Sequence, residues 1–175
     1  MNALVAASPS EGMKKAGAGS DILQLVTFNL GNEEYAVDIL KVQEINRMKE
    51  ITRVPNSPDY VEGVINLRGK VIPVVSLRKR FGLMEKESDE QSRIMIMDIQ
   101  GITMGLVVDS VSEVLRIPMG TVEPTPPMAS NISTEFIKGI AKLEERLIIL
   151  LDMDRLLGKS DETALLEATT KAIEG

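Results

Sequence analysis

No cysteine, histidine or tryptophan occurs in the 175 residues, and only 3 % are aromatic. Each absence removes a class of function. Without histidine there is no Ser-His-Asp or Cys-His nucleophile pair, no imidazole general base and no histidine phosphorelay. Without cysteine or histidine there is neither a conventional zinc site nor thiolate chemistry. Disulfides are impossible, so the fold must rest on its own core, and a reducing compartment is expected. No apolar run reaches the ~18 residues of a membrane span, and no basic segment followed by an apolar one marks a secretory leader. Basic residues number 20 against 26 acidic, a net charge of −6. That balance argues against nucleic acid as the main partner, and the shortage of aromatics removes the stacking platform of a single-strand binder. The run Arg78-Lys79-Arg80 reads as a solvated element end rather than a phosphate site.

What is there is mainly aliphatic and arranged in short strands. Residues 1–20, rich in Ala, Gly and Ser, read as a flexible tail. A strand from Ile22 to Leu30 turns at Gly31-Asn32 into a return strand, 34–39. A second hairpin, 93–99 and 104–108, turns at Gln100-Gly101. Val71-Ile-Pro-Val-Val75 is β-branched, and Pro73, which cannot donate to a ladder, predicts an edge or a bulge. Proline-punctuated loops lie at 54–58 and 123–127. The polar stretch Glu85–Ser92 predicts a lobe boundary or an exposed hairpin loop. Leu147–Leu151 is a further apolar strand. Ser160 is an N-cap for a C-terminal helix, 160–175, whose Leu165, Leu166, Thr169, Ala172 and Ile173 share a docking face.

The most informative internal signal is a repeat. Residues 60–82 lie over 136–158 without a gap, 76 positions on, with Gly63/Gly139, Leu67/Leu143, Ile72/Ile148 and Gly82/Gly158 identical. Upstream, 35–45 lie over 104–114, 69 positions on, with Val42/Val111 and Glu44/Glu113 matching. The difference places a seven-residue insertion between Pro124 and Phe136. Short, regularly punctuated strands in duplicate predict a mainly all-β chain of two small five-stranded barrels. The first lobe would fall mainly in 21–83 and the second mainly in 92–158, with exchange of strands between them left open. Aliphatic side chains would fill both barrels.

The segments Tyr35–Ile45, Arg53-Val-Pro-Asn-Ser-Pro58, Gly63-Val-Ile-Asn-Leu-Arg-Gly69 with Val71–Val75, Gly105–Val114 and Phe136-Ile-x-Gly139 resemble CheW, the adaptor family of bacterial chemotaxis arrays. The resemblance covers about residues 22–166. It implies two SH3-like barrels and a non-enzymatic, cofactor-free and metal-free role in the cytoplasm at membrane receptor arrays. That role is to couple the cytoplasmic tip of methyl-accepting receptors to the regulatory domain of the histidine kinase CheA. The length leaves no room for a kinase or receiver domain, so a stand-alone adaptor is expected.

By the same resemblance the partner-binding residues are Arg68, Asn66, Leu67, Gly63, Val42, Glu44 and Val114. Physically, Arg68 offers a guanidinium fork suited to a partner's carboxylate or carbonyl, while Glu144 stands at its repeat position. Val42 and Gly63 also have structural readings: Val111 repeats Val42 as a core residue, and Gly139 repeats Gly63 as a backbone requirement. An apolar strip drawn from Leu40, Val42, Ile45, Val111 and Val114 is expected to receive a helix. Ser76 departs from the aspartate common in the family, which Asp152 keeps. Two alternatives stand beside the adaptor: a related pathway of twitching or gliding, and a Mg-dependent enzyme built on Asp98, Asp109, Asp152 and Asp154.

Overall fold

The computed structural model describes residues 21–124, 136–156, 165–167 and 169–170. The tail 1–20, the stretch 125–135 within which the seven-residue insertion is expected, and most of the C-terminal helix expected over 160–175 lie outside the described residues. The described chain forms β1 (Ile22–Leu30), β2 (Glu33–Asp38), a 3-10 turn (Ile39–Lys41), β3 (Val42–Arg47), β4 (Val61–Leu67) and β5 (Lys70–Ser76). A one-turn helix α1 (Leu77–Arg80) follows. Then come β6 (Arg93–Ile99), β7 (Ile102–Val108), β8 (Ser110–Pro118), β9 (Val122–Glu123), β10 (Ile137–Leu143), β11 (Arg146–Leu151) and a 3-10 turn (Met153–Arg155).

These strands form two sheets. The central sheet has the order β3-β6-β7-β5-β4, and the terminal sheet the order β9-β10-β11-β2-β1-β8. The central sheet gains one further contact at its β4 edge, where Thr52 bridges Val64. Laid out from that end, the two orders are the same: Thr52, β4, β5, β7, β6, β3 against β9, β10, β11, β2, β1, β8. The pairs β4/β10, β5/β11, β2/β7 and β3/β8 fall in the aligned repeat segments, and Thr52/β9 and β1/β6 complete the same order outside them. The duplication is therefore a duplication of topology.

The lobes expected at 21–83 and 92–158 are interleaved. β1 and β2 leave the first half to join the sheet of 110–151, and β6 and β7 leave the second half to join β3, β4 and β5. The chain crosses between sheets at the 3-10 turn 39–41 and at Asp109. It does not cross at Glu85–Ser92, which joins α1 to β6 beside the central sheet. The reason is pairing: β2 runs parallel to β11, with Tyr35 opposite Ile149, and β7 runs parallel to β5, with Leu106 opposite Val75. Parallel neighbours are joined by long connections rather than hairpin turns, and here the parallel neighbour of each hairpin lies in the other half of the chain.

Pro73 sits in β5, which has neighbours on both sides, rather than on an edge. Its ladder with β7 starts only at Val74, so at Pro73 the strand has a single partner, Val64 of β4. The missing N–H leaves no ladder bond broken there.

Three larger apolar clusters follow from this arrangement, with a small one of Val54 and Val64 beside them. One is held within the terminal sheet by Leu25, Ala36, Ile117, Ala141, Ile148 and Leu150. Its counterpart within the central sheet is Ile65, Leu67, Ile72, Val74, Ile94 and Ile96. The largest lies between the sheets and contains Val37, Val75, Leu77, Met95, Met97 and Leu106. The few aromatics are concentrated in this seam instead of being spread thinly. Phe28 stacks on Tyr35 at 5.8 Å, Tyr35 meets Phe81 at 5.9 Å, and Phe81 meets Phe136 at 5.6 Å. Arg80 covers the outer end, 5.2 Å from the Tyr60 ring and 5.1 Å from that of Phe136. Leu165 is fully buried against the same seam, but Leu166 is exposed. The two do not share a docking face, because consecutive helical positions are rotated by about 100°.

Candidate partner-binding surface

The site is built from the turn between β4 and β5. Arg68 and Gly69 have φ of +52° and +86°, the pattern of a two-residue hairpin turn that matches strand twist. Asn66 closes it: its Oδ1 accepts from the Gly69 N–H at 2.9 Å. Arginine in the left-handed region is uncommon and strained, yet here it stands at the tip with its side chain 71 % exposed. Its Nη1 donates to Oε1 of Glu44 at 3.2 Å, and Nη2 forms a second, closer contact with Oε2. Glu44 belongs to β3 and Arg68 to the end of β4, the two outermost strands of the central sheet. The pair spans those edges, so the sheet curls until they meet. The Arg68 hydrogen bond holds the Glu44 carboxyl below its ordinary range, and the carboxylate raises Arg68 in turn.

Of the seven residues expected at the site, Arg68, Asn66 and Glu44 come together on this surface. Leu67 points into the central sheet's own cluster. Gly63, φ +146°, lies under the segment that crosses β4: a Cβ there would stand 2.2 Å from the Thr52 carbonyl oxygen. Its role is to admit a backbone, and Gly139 does the same for Glu123, whose oxygen a Cβ would meet at 2.8 Å. Val42 is half-buried against the seam between the sheets, as is Val111. Val114 lies elsewhere, on β8 of the terminal sheet, and is 55 % exposed. Its repeat equivalent Ile45, on β3, is also exposed. The apolar strip thus divides by face: Leu40, Ile45 and Val114 face solvent, while Val42 and Val111 pack inward.

Arg146 was not foreseen. Its Nη2 lies 3.1 Å from Glu113 Oε2 and 2.6 Å from Glu34 Oε2. Glu113 is the repeat equivalent of Glu44, so the terminal sheet carries its own arginine–glutamate pair beside Val114. Position-by-position comparison finds Glu144 opposite Arg68 and misses this, because the arginine has moved two residues along the hairpin. Glu144 itself keeps the left-handed backbone, φ +47°.

The aspartates have structural work. Asp109 receives both Nε and Nη2 of Arg78, at 2.8 and 2.5 Å, and the Gly31 N–H at 2.8 Å. Burial pushes its carboxyl up, but Arg78 and the Gly31 N–H outweigh burial and leave it below the ordinary range. Asp154 pairs with Lys41 at 3.2 Å. Asp152 caps the 3-10 turn by accepting from the Asp154 N–H at 3.2 Å. Ser76, at the equivalent position, caps α1 by accepting from the Lys79 N–H, also at 3.2 Å. The departure from aspartate therefore keeps the cap. Among the described residues no group of three or more carboxylates is placed to hold a metal ion.

The profile described as "CheW-like domain" matches residues 24–161. The chain is 40 % identical to Chemotaxis protein CheW of Klebsiella aerogenes over 149 residues, 85 % of this chain and 89 % of that protein. It is 36 % identical to Chemotaxis protein CheW of Helicobacter pylori, across 85 % of this chain and 93 % of that one. Among solved structures it resembles the crystal structure of the scaffolding protein TtCheW from Thermoanaerobacter tengcongensis. There the TM-score is 0.73 and the identity 41 %, covering 79 % of this chain and 94 % of that one.

Proposed function

The chain belongs to the CheW-like family, and from that premise we propose that it couples methyl-accepting chemoreceptors to the histidine kinase CheA. At the coarser level it is a chemotaxis scaffold of an adaptor family. The match of residues 24–161 to the family carries the reading. The mechanism is binding alone. The Arg68 tip presents a forked donor held in a strained turn, its charge partly matched by Glu44. A partner carboxylate or carbonyl competes with Glu44 for that fork. Exposed Ile45 and Val114 supply apolar contact on the two sheets, one surface for each class of partner. Weak single contacts suffice where many copies assemble, because linkage multiplies them. Recruitment to the membrane then passes through the receptor; among the described residues no helix is long and apolar enough to cross a bilayer.

Co-sedimentation with CheA and a receptor cytoplasmic fragment tests this. Arg68→Glu is expected to leave the urea midpoint unchanged and to weaken complex formation about tenfold, the equivalent of 1.4 kcal/mol. A wild-type chain that neither joins the complex nor alters CheA autophosphorylation overturns the reading. Unfolding of Arg68→Glu assigns the residue to structure instead.

A further inference from the structure

We propose that the two halves of the chain, 21–83 and 92–156, are complementary binding partners, so that a second copy can supply the half the first lacks. The two copies would then form an intertwined dimer by exchange through residues 84–91. The inference rests on the strand pairing. Within the first half the only ladders are the hairpins β1–β2 and β4–β5, with the single Thr52 bridge. Among the described residues of the second they are β6–β7 and β10–β11, with the two-residue β9. Everything that makes sheets of these hairpins joins one half to the other: β1 with β8, β3 with β6, β11 with β2 and β5 with β7. Among the described residues β3 and β8 have no ladder partner in their own half. An isolated two-stranded hairpin is marginal in water, so neither half is a folding unit.

The clusters agree. Ile65, Leu67, Ile72 and Val74 are closed by Ile94 and Ile96, and Leu25 and Ala36 are closed by Ile117, Ala141, Ile148 and Leu150. Both sheet crossings are held by the opposite half, Asp109 by Arg78 and Lys41 by Asp154. Only one covalent link connects the halves. It contains no strand or helix between Leu83 and Ser92 and is tied down by surface contacts, Arg78 Nη1 to the Met84 carbonyl at 2.6 Å, Lys79 to Glu85 at 3.0 Å and Lys86 to Asp89 at 2.7 Å. An exchanged dimer keeps every ladder and every cluster and alters only this link, the condition under which domain swapping has a low cost.

The test uses the full chain with a protease cleavage sequence inserted between Glu87 and Ser88. Cut after folding, the two pieces are expected to stay together as one particle of monomer mass with an unchanged circular dichroism spectrum. Mixed with an isotope-labelled nicked sample, unfolded in urea and refolded, half of the particles should carry one labelled and one unlabelled piece. Separation of the pieces without denaturant, or a piece that stays folded alone, overturns complementarity. The uncut natural chain gives the second measurement. Refolded at millimolar concentration, it should yield a fraction at twice the monomer mass that persists for hours after dilution. Monomer at every refolding concentration overturns the exchange.

Discussion

The two places where the chain passes between sheets occupy equivalent positions in the repeat, and each is clamped by an ion pair, but the charges are reversed. At the second crossing Asp109 receives Arg78 from α1 and the Gly31 N–H from the tip of the β1–β2 hairpin. At the first crossing it is Lys41 that meets Asp154, from the turn after β11, and Gln100 at the β6–β7 tip donates to the Asp154 carbonyl at 2.5 Å. Arg78 and Asp154 are 76 residues apart, the spacing of the repeat. Only the Arg78–Asp109 pair is bidentate and shielded, its side chains 16 and 17 % exposed against 40 and 50 % at the other. The duplication has kept the geometry of a clamp while freeing its chemistry, and one seam has become a lock and the other a loose tie.

The largest effects should come from the glycines beneath the crossing segments. Gly63→Ala places a methyl on the Thr52 backbone and forces an unfavourable φ, and is expected to cost about 3 kcal/mol or more. Gly139→Ala meets mainly the Val122 side chain and the Glu123 carbonyl without the φ penalty, and should cost about 1–3 kcal/mol. Urea unfolding of both variants measures the difference; equal losses would remove the asymmetry.

Next come the clamps. Asp109→Asn leaves Arg78 shielded and unpaired and should cost about 2–3 kcal/mol, whereas Asp154→Asn should cost about 0.5 kcal/mol or less. Asp109 also carries a pH dependence. Asp109 is held below its ordinary value, so its stabilisation is present above the unfolded carboxyl value of about 3.9. It is lost as pH falls through the lower folded value. The acid limb of the stability curve should therefore flatten in Asp109→Asn.

The smallest effect on stability belongs to the tip. Arg68→Gly relieves left-handed strain and should raise the urea midpoint slightly while weakening complex formation with CheA and receptor. A lowered midpoint would mean that the pair with Glu44 matters more to the fold than the turn's strain.

Much of this was legible in the residues. Hairpin turns announced themselves at Gly31-Asn32 and Gln100-Gly101, and the duplication at Gly63/Gly139 and Ile72/Ile148. The Asn66–Gly69 turn drew attention to Arg68 before its geometry was known. The exchange of hairpins was not fixed by sequence, because strands that alternate or run apolar carry no label for the sheet they join. Pro73 pointed to an edge or a bulge without saying which, because whether a strand has one neighbour or two at a given residue is decided by register. Arg146 escaped because a two-residue slide preserves a contact while breaking a column. Asp109 looked like a carboxylate available for chemistry, and its partner Arg78 lies 31 positions away in sequence.

The aromatic seam gives the molecule an optical signature. With no tryptophan and two tyrosines, its ultraviolet emission comes from Tyr35 and Tyr60 alone. Tyr35 is wholly buried between Phe28 and Phe81, with Phe136 next in line beyond Phe81, so its ring lies where the two halves of the chain meet. Tyr60 is half-buried under Arg80. Replacing Tyr60 by phenylalanine would leave a single native fluorophore at the seam, and parting of the sheets could then be followed in real time without attaching a dye.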